Sequence, residues 1–461
     1  MSNGNMSVLG VFPPFWTDDG PHFILPHFQG MMKAYEVDAQ IVDLNIEAAI
    51  ALKERWFELS SNFIGVWSNP QIVAECIRES NIIGILRNSI ATMQPSWVIF
   101  LSVNIASYQI VRLLLKDIRA EFSDLKIAIG GPLCLGVKND SDIFADADLV
   151  WGGTLESAIP IISGHLEKKP AQNNDYRFFP DFTGIDITKY TKPEMLSYVL
   201  NYGCNFNCRY CHEGTQYDKA IMRPIHGLGN YLKKLLSEHP TIKYIRFFDS
   251  CINSSYEFFL ELLDELNEKG ILWGSYLTPM PYIDRSIGLK MRSAGCIGVN
   301  IGVESGSTAV RKLMGKPTRL DVVESCIREL HAIGMFISIN LMVGYPGETE
   351  DNFSETLQFA SRIAEFVNEI TVGKTGIYAG TALFADAEKL KINLNGDIQN
   401  EFLFNHWALA DKSNTPAIRR EWLLRIEAHI EEMGLKNARL PDVEDPGKLA
   451  LEQYQRLEKV E

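Results

Sequence analysis

The chain has 461 residues, and its 44 Lys and Arg against 58 Asp and Glu give a net charge of −14. The length predicts about three domains, and an apolar share of 46% with a charged share of 22% excludes wholesale disorder and a coiled coil. The acidic balance argues mildly against a general nucleic-acid binder, which must neutralise phosphates with Lys and Arg.

The amino terminus and the cysteines bear on location. Residues 1–7 contain no basic segment followed by an apolar stretch, so we expect no signal peptide. The longest apolar run, at residues 97–106, is about half the length that spans a bilayer. A secreted disulfide scaffold would need a shorter chain with more densely spaced cysteines than the eight found here. We therefore expect a cytoplasmic protein with reduced thiols and no membrane segment.

The first 168 residues alternate short apolar runs with helical stretches. Strands are predicted at residues 7–12, 40–44, 96–103, 126–129 and 148–151, and helices at 22–35, 45–63, 106–122 and 155–166. This alternation is typical of a parallel sheet covered by helices on both faces. The prediction is an α/β, Rossmann-like doubly wound domain over residues 1–168, with ligands at the carboxyl ends of its strands.

Residues 169–195 are polar and proline-containing, which predicts a linker. Strands then resume at residues 196–201, 244–248, 272–277, 296–303, 336–343 and 369–373, with helices at 229–237, 256–269, 283–294, 319–333 and 350–365. An eight-unit barrel typically takes about 250 residues. We therefore predict a partial (β/α)6 TIM-type barrel over residues 196–392, followed by a mainly helical cap over residues 393–461 with helical period at 417–433.

A cluster of cysteines follows the first of these strands directly, with the spacing Cys-x3-Cys-x2-Cys at Cys204, Cys208 and Cys211. Thiolates are soft ligands that suit Fe–S clusters, zinc or copper(I). Structural zinc takes four ligands, and the adjacent His212 is poorly placed as the fourth, which leaves Cys251 or Cys296. A [4Fe–4S] cluster normally takes four cysteines, so three would leave one iron open. A zinc knuckle, or three unrelated thiols, remains the alternative.

This spacing, with the aromatic Tyr210 before the third cysteine, resembles the signature of the radical S-adenosylmethionine (SAM) superfamily. In that family three thiolates hold a [4Fe–4S] cluster, the open iron chelates SAM, and electron transfer yields a 5′-deoxyadenosyl radical. The resemblance covers roughly residues 196–385. It implies that Cys204, Cys208 and Cys211 are both metal ligands and catalytic residues, with an external electron donor such as flavodoxin or ferredoxin.

Further strand ends match the family. Residues 344–349 resemble its GxPGET motif, and residues 311–316 resemble its KxMxK stretch. Residues 376–381 depart from its Pro-Gly-Thr-Pro pattern, because Ala379 and Ala382 replace both prolines. The resemblance implies SAM contacts from Tyr210, Arg223, Asp249, Glu304, Ser305 and Gly344. His212 and Cys251 are candidate substrate contacts, although a cysteine such as Cys251 is more often a buried apolar residue.

A doubly wound domain ahead of the cysteines resembles the cobalamin-binding (B12-binding) subgroup of the superfamily, whose members include class B methyltransferases. The matching strand-end residues are Pro13, Ser102, Asn104, Gly130, Gly131, Gly152, Gly153 and Glu156. The chain lacks an Asp-x-His-x-x-Gly sequence, as do many members of that subgroup, so the lower face of cobalt would have no His ligand. Glycines would let the backbone approach a bulky corrin. A vestigial domain that holds no corrin is the alternative.

The resemblance implies a cobalamin-dependent radical SAM enzyme, a methyltransferase for a small secondary metabolite. The alternatives are a ring contraction, a cyclisation or the transfer of another SAM-derived group such as aminocarboxypropyl. A non-catalytic Fe–S electron carrier is a further alternative, and so is a zinc-stabilised nucleic-acid-binding module. We expect a small-molecule substrate and no nucleic-acid partner, because no RNA-binding tail is evident.

Overall fold

A computed structural model describes residues 7–61, 69–104, 106–135, 144–155, 179–213, 219–394, 403–435 and 446–458. Its contacts divide the chain into two compact units, Met1–Pro193 and Glu194–Glu461. Among the residues described, no helix is both long and apolar enough to cross a membrane.

The first unit contains strands β1 (Ser7–Phe12), β2 (Asp38–Asp43), β3 (Trp97–Phe100), β4 (Lys126–Gly130) and β5 (Leu149–Trp151). Its helices are α1 (Ile24–Ala34), α2 (Leu44–Leu52), α3 (Glu54–Ser61), α4 (Pro70–Ser80), α5 (Ile82–Met93) and α6 (Tyr108–Glu121). The strands are parallel in the order β2-β1-β3-β4-β5. This arrangement confirms the predicted doubly wound domain. The register pairs Val11 with Phe100 and Phe100 with Ile129, which brings the carboxyl ends of the central strands to one edge.

Two helix predictions in this unit need correction. The described part of the helix predicted at residues 45–63, which ends at Ser61, forms two helices rather than one, because Lys53 has a φ of 52°, which does not continue a right-handed helix. Helices α4 and α5 were not predicted. Asn69 begins α4 by accepting hydrogen bonds from the backbone of Gln71 and Ile72, and Asn81 separates the two helices at a φ of 54°.

The described half of the predicted linker, residues 179–193, lies in the first unit. The Asp181 backbone N–H donates to the Pro26 carbonyl at 2.7 Å, and its carboxylate pairs with Lys33 at 2.6 Å. The Tyr190 hydroxyl donates to Asp43 at 2.6 Å. Residues 156–178, which include most of the predicted helix at 155–166, lie outside the described residues.

The second unit is built on six parallel strands whose order in the sheet follows the chain. They are β6 (Met195–Tyr198), β9 (Tyr244–Phe247), β10 (Trp273–Leu277), β11 (Cys296–Glu304), β12 (Phe336–Val343) and β13 (Glu369–Lys374), with the short pair β7 (Asn201–Tyr202) and β8 (Ile221–Met222) after β6. Helices α7 (Leu228–Glu238), α8 (Tyr256–Leu266), α9 (Arg285–Ser293), α10 (Thr308–Met314), α11 (Leu320–Ala332) and α12 (Glu350–Ile363) connect the six strands. This order confirms the predicted partial barrel.

After β13 the described residues form two small antiparallel pairs and three helices. The strands are β14 (Ile377–Tyr378), β15 (Ile392–Asn393), β16 (Leu403–Phe404) and β17 (Ala408–Leu409), and the helices are α13 (Ala382–Ala385), α14 (Pro416–Glu432) and α15 (Pro446–Glu458). Trp422 of α14 stacks on Phe353 of α12, with ring centroids 5.2 Å apart, and donates to Glu350 at 2.8 Å. Helix α14 therefore takes the position of the helix that follows the sixth barrel strand, β13.

Helix α15 lies at the opposite end of the barrel from the strand carboxyl ends. Its Ala450 and Leu451 pack with Tyr244 and Phe336, which begin β9 and β12. Residues 393–461 were predicted to form a mainly helical cap, and the contacts place their described part in the same compact unit as the barrel.

Candidate functional site

The three clustered cysteines lie in the loop between β7 and β8, at the carboxyl end of the first barrel strand. Cys204, Cys208 and Cys211 are half-exposed, whereas the other five cysteines are buried. The Cys211 N–H donates to the Cys208 carbonyl at 3.0 Å, which closes a turn between the second and third thiols. Active sites of barrel enzymes lie at this end of the strands, so the loop stands where chemistry is expected.

Contacts with three other segments fix the cysteine loop. The Asn205 amide donates to the Ser254 carbonyl at 3.0 Å, and the Arg209 N–H donates to the Met314 carbonyl at 2.9 Å. The Arg209 guanidinium forms an ion pair with Asp386, beyond the sixth strand. The loop is therefore held on both sides of its central thiol.

Asp249, a predicted SAM contact, is fully buried beneath the entry to this loop. Its Oδ1 accepts hydrogen bonds from the backbone N–H groups of Leu200 and Asn201, at 2.9 and 2.6 Å. Burial raises the pKa of Asp249 to about 7 despite these bonds. Arg223, another predicted SAM contact, donates its backbone N–H to the Leu200 carbonyl at 2.9 Å. In this structure both residues shape the backbone that leads to Cys204.

Glu304 is the centre of a polar group beside the cysteines. It ends β11 at a bulge, with a φ of 71°. Its carboxylate accepts a hydrogen bond from the Tyr210 hydroxyl and lies 3.6 Å from Lys316 Nζ, whose side chain is only 8% exposed. Burial, together with the carboxylate of Glu304, raises the pKa of Tyr210, so its phenol stays protonated. We call Tyr210, Glu304 and Lys316 the strand-end triad.

Ser305 follows Glu304 but faces the opposite way. Its side chain is fully buried, with Oγ 3.2 Å from Thr356 Oγ1 of α12. It also accepts a hydrogen bond from the Ser307 N–H at 3.1 Å. The structure therefore uses the Ser305 side chain to join β11 to α12 and does not bring it to Glu304.

Gly344 lies in the loop after β12 with a φ of 80°, a backbone conformation that favours glycine. A Cβ at this position would lie 2.2 Å from Arg419 Cγ of α14. The Gly344 and Tyr345 N–H groups donate to the Glu348 carboxylate at 2.5 and 3.0 Å. Burial raises the pKa of Glu348 to about 7. Close packing against Arg419 therefore explains why a glycine is found at position 344.

His212 and Cys251, the candidate substrate contacts, differ in exposure. His212 is half-buried with its ring 6.1 Å from that of Tyr378, and burial lowers its pKa. Cys251 is 2% exposed, and its Sγ lies 3.2 Å from both Asn253 Oδ1 and Thr278 Oγ1. The Cys251 thiol also lies within hydrogen-bond reach of Cys204, and that contact together with burial raises the pKa of the Cys204 thiol. The contacts of Cys251 are thus with the protein itself.

The predicted corrin-binding residues collect at one edge of the first unit. Pro13 is buried after β1, Ser102 is half-buried with a φ of 54°, and Gly152 and Gly153 follow β5, with Gly153 at a φ of 139°. Glu156 lies outside the described residues.

For three residues of this edge, contacts within the protein explain why that residue type is found there. The Asn104 side-chain oxygen accepts from the Ala106 and Ser107 N–H groups, at 2.7 and 3.1 Å. A Cβ at Gly130 would lie 2.0 Å from the Trp151 ring, and one at Gly131 would lie 2.2 Å from the Val103 nitrogen. Ser102, Gly152 and Gly153 are therefore the residues of this edge best placed to meet a ligand.

Some contacts at the cysteine end were not predicted. Lys316 was noticed only as part of a motif, and its contact with Glu304 follows from the turn after α10 that ends at Gly315, whose φ is 70°. Asp386 and Arg419 are remote in the chain from the residues they hold, so no local pattern pointed to them.

The donor set at the cysteine loop fits an Fe–S cluster. Soft thiolates are the ligands such a cluster takes, and these three are the cysteines that solvent reaches. Burial raises the pKa of the Cys208 thiol, and the contact with Cys251 together with burial raises that of Cys204. Coordination to a metal is what deprotonates a thiol of this kind. Among the described side chains, no group of three or more His, Cys, Asp or Glu is gathered closely enough to hold a single metal ion.

Comparison with known proteins agrees with this site. Residues 198–360 match the family model of the radical SAM superfamily. An uncharacterized methyltransferase, PH0819, from Pyrococcus horikoshii is 25% identical over 237 residues, which are 49% of this chain and 50% of the relative. The ribosomal protein uS12 methylthiotransferase RimO of Chromobacterium violaceum is 27% identical over 256 residues, which are 51% of this chain and 56% of the relative. The chain thus spans about half the length of these relatives.

Two solved structures share the fold over most of the chain. The radical SAM methyltransferase TsrM from Kitasatospora setae, solved with cobalamin and a [4Fe–4S] cluster, gives a TM-score of 0.64 at 15% identity and covers 85% of this chain and 81% of its own. OxsB, a cobalamin-dependent SAM radical enzyme, gives 0.64 at 14% identity and covers 98% and 75%.

The cysteine loop, the partial barrel and the family model that matches residues 198–360 agree in placing a radical SAM domain in this part of the chain. Its doubly wound unit and partial barrel are similar in fold to those of TsrM and OxsB.

Proposed function

We propose that this protein is a cobalamin-dependent radical SAM methyltransferase that acts on a small molecule. The observation that carries the proposal is the set of three half-exposed thiols at the carboxyl end of a six-stranded parallel barrel, beside the strand-end triad. An Fe–S electron carrier has no need of such a triad next to its cysteines, so the triad favours an enzyme.

Cys204, Cys208 and Cys211 would hold the cluster, which when bound supplies the electron that cleaves SAM. Glu304 and Lys316 carry opposite charges 3.6 Å apart, which matches the amino and carboxylate groups of the methionine part of SAM. Tyr210 stays protonated and holds the Glu304 carboxylate in place. The contacts of Arg209 and Asn205 fix the loop, so that the thiols are already positioned.

Cobalamin would contact the first unit at Ser102, Gly152 and Gly153, which are exposed or half-buried. When bound, cobalamin supplies a carrier for the methyl group. The likeness in fold to TsrM, a methyltransferase solved with cobalamin, extends over 85% of this chain, whereas the likeness to RimO extends over 51%. The description of TsrM as a methyltransferase is what supports methylation in this proposal. The same architecture with a ring contraction, a cyclisation or another SAM-derived group stays the second candidate.

The test is anaerobic purification of the full chain with metal analysis and ultraviolet–visible spectra. We expect about four iron atoms and about one cobalt atom per chain. Iron without cobalt would overturn the cobalamin part and leave the radical SAM part standing. A small-molecule product heavier by one methyl group would separate methylation from the second candidate. The reductant would be a cytoplasmic protein such as flavodoxin or ferredoxin.

A further inference from the structure

A buried thiol from the loop after β9 lies beside the first thiol of the cysteine loop. Cys251 is 2% exposed, and its thiol lies within hydrogen-bond reach of the Cys204 thiol. The Asn201 amide donates to the Cys251 carbonyl at 3.3 Å, which ties the loop after β9 to the segment that leads to Cys204. Cys251 is therefore a fixed neighbour of one of the three thiols assigned to the cluster.

Two polar side chains fix the position of the Cys251 sulfur. Its Sγ lies 3.2 Å from Asn253 Oδ1 and 3.2 Å from Thr278 Oγ1. The Asn253 amide nitrogen donates to the Thr278 carbonyl at 2.9 Å, and its Oδ1 accepts from the Thr278 N–H at 2.9 Å. These bonds fix which end of the amide is the oxygen, and an amide oxygen only accepts. The single proton of the Cys251 thiol therefore faces Asn253, and the Thr278 hydroxyl is able to donate to the sulfur.

A cluster at the cysteine loop would change which acceptor is the better one for Cys251. Cys204 loses its proton to solvent when it ligates iron, because the ligand is a thiolate. A hydrogen bond to a charged acceptor is about twice as strong as one to a neutral acceptor, so the Cys204 sulfur competes successfully with the Asn253 oxygen. The change needs only a rotation of the S–H bond, since both acceptors already lie within reach of the same sulfur.

We propose that Cys251 is a positioning residue whose thiol donates a hydrogen bond to the Cys204 sulfur and thereby raises the reduction potential of the cluster. This assignment rests on the proposed function. The potentials of Fe–S clusters depend on hydrogen bonds to their sulfurs. An electron that enters the cluster adds negative charge to its ligands, so the bond strengthens and the reduced state is stabilised. Burial of the pair strengthens the bond further, because the local dielectric constant is low.

The test is the midpoint potential of the cluster in the reconstituted full chain, titrated with dithionite and followed by electron paramagnetic resonance of the reduced cluster. Cys251→Ala removes the donor, and Cys251→Ser keeps a donor at the same position. Cys296→Ala is the matched control, because Cys296 is a fully buried thiol of β11 that lies 3.7 Å from the Gly298 carbonyl. Iron is counted in every variant, so that loss of the cluster is separated from a change in its potential.

We expect Cys251→Ala to lower the equilibrium constant for one-electron reduction about tenfold, a fall of about 59 mV in the midpoint potential. Cys251→Ser and Cys296→Ala should stay within about threefold of the wild type. Thr278→Val leaves the thiol in place and removes the hydroxyl that polarises it, so it should lower the potential by a smaller amount. An unshifted potential in Cys251→Ala with its iron in place would overturn the inference, and so would a Cys251→Ser variant that behaves like Cys251→Ala.

Iron content separates the failure of this inference from the failure of the proposed function. A wild-type chain that takes up no iron on reconstitution would overturn the proposed function and this inference with it. An intact cluster whose potential ignores Cys251 would overturn the inference alone. Loss of iron from a folded Cys251→Ala variant would make Cys251 a ligand of the cluster, which also overturns its assignment as a hydrogen-bond donor.

Discussion

Replacing Gly344 by alanine tests the account of the loop after β12. A Cβ there would lie 2.2 Å from Arg419 Cγ and 2.4 Å from its Cδ. Arg419 cannot move aside cheaply, because its guanidinium donates to Asn414 at 2.9 Å and to the Trp407 carbonyl at 2.7 Å and lies over the Trp407 ring at 3.8 Å. The left-handed backbone costs alanine about 1 kcal/mol, and overpacking adds about 2 kcal/mol.

Gly270→Ala is the matched control, because Gly270 has a φ of 70° and a Cβ there would have no atom within 4 Å. It carries the backbone cost alone, about 1 kcal/mol. The measurement is the free energy of unfolding in urea, followed by tryptophan fluorescence. We expect Gly344→Ala to cost about 3 kcal/mol, about 2 kcal/mol more than the control.

A double-mutant cycle with Arg419→Ala locates the clash. In the Arg419→Ala background, Gly344→Ala is expected to cost no more than Gly270→Ala does in the wild type. Equal costs for the two glycine variants in the wild type would refute the reasoning. So would an unrelieved cost in the Arg419→Ala background.

Three further predictions follow from buried groups. Burial raises the pKa of Glu348 from 4.5 to about 7, so its stabilisation is fully present below 4.5 and is lost as the pH rises through 7. Glu348→Gln should remove up to about 3 kcal/mol of that pH dependence, measured by urea unfolding at pH 5 and 8; an unchanged slope would contradict it. Trp422→Ala, which removes the stack on Phe353, should lower the free energy of unfolding by about 3–5 kcal/mol. A loss below about 1 kcal/mol, measured by urea unfolding, would contradict the packing of α14 against α12. Cys251→Ala should leave iron at about four atoms per chain, since Cys251 contacts Cys204 as a neighbour rather than a ligand; loss of iron from a folded variant would assign it as a ligand.

The sequence predicted the two parallel sheets, because apolar runs and helical stretches alternate at regular lengths. It did not predict the break at Lys53, since a positive φ at a lysine leaves no mark in the hydrophobic pattern. The helix α14 was found by its period, but its packing as the helix after the sixth strand depends on the contact of Trp422 with Phe353.

The candidate site was predictable where the motif is local. The spacing of the cysteines and the strand-end position of Glu304 are local in the chain, and the structure places both at the carboxyl end of the barrel. The inward or outward direction of a strand-end residue depends on its partners, so the sequence did not predict that Ser305 turns to Thr356. The contact of Gly344 with Arg419 joins residues far apart in the chain, so the sequence did not predict it either.

The most direct measurement is the formation of 5′-deoxyadenosine from SAM by the reconstituted full chain under dithionite. The wild type should form it, and so should Cys326→Ala, a control that removes a buried thiol of α11. Alanine variants of Cys204, Cys208 and Cys211 should each fall to background while remaining folded. Formation at the wild-type rate by any one of these three, or none by the wild type with its iron in place, would contradict the account.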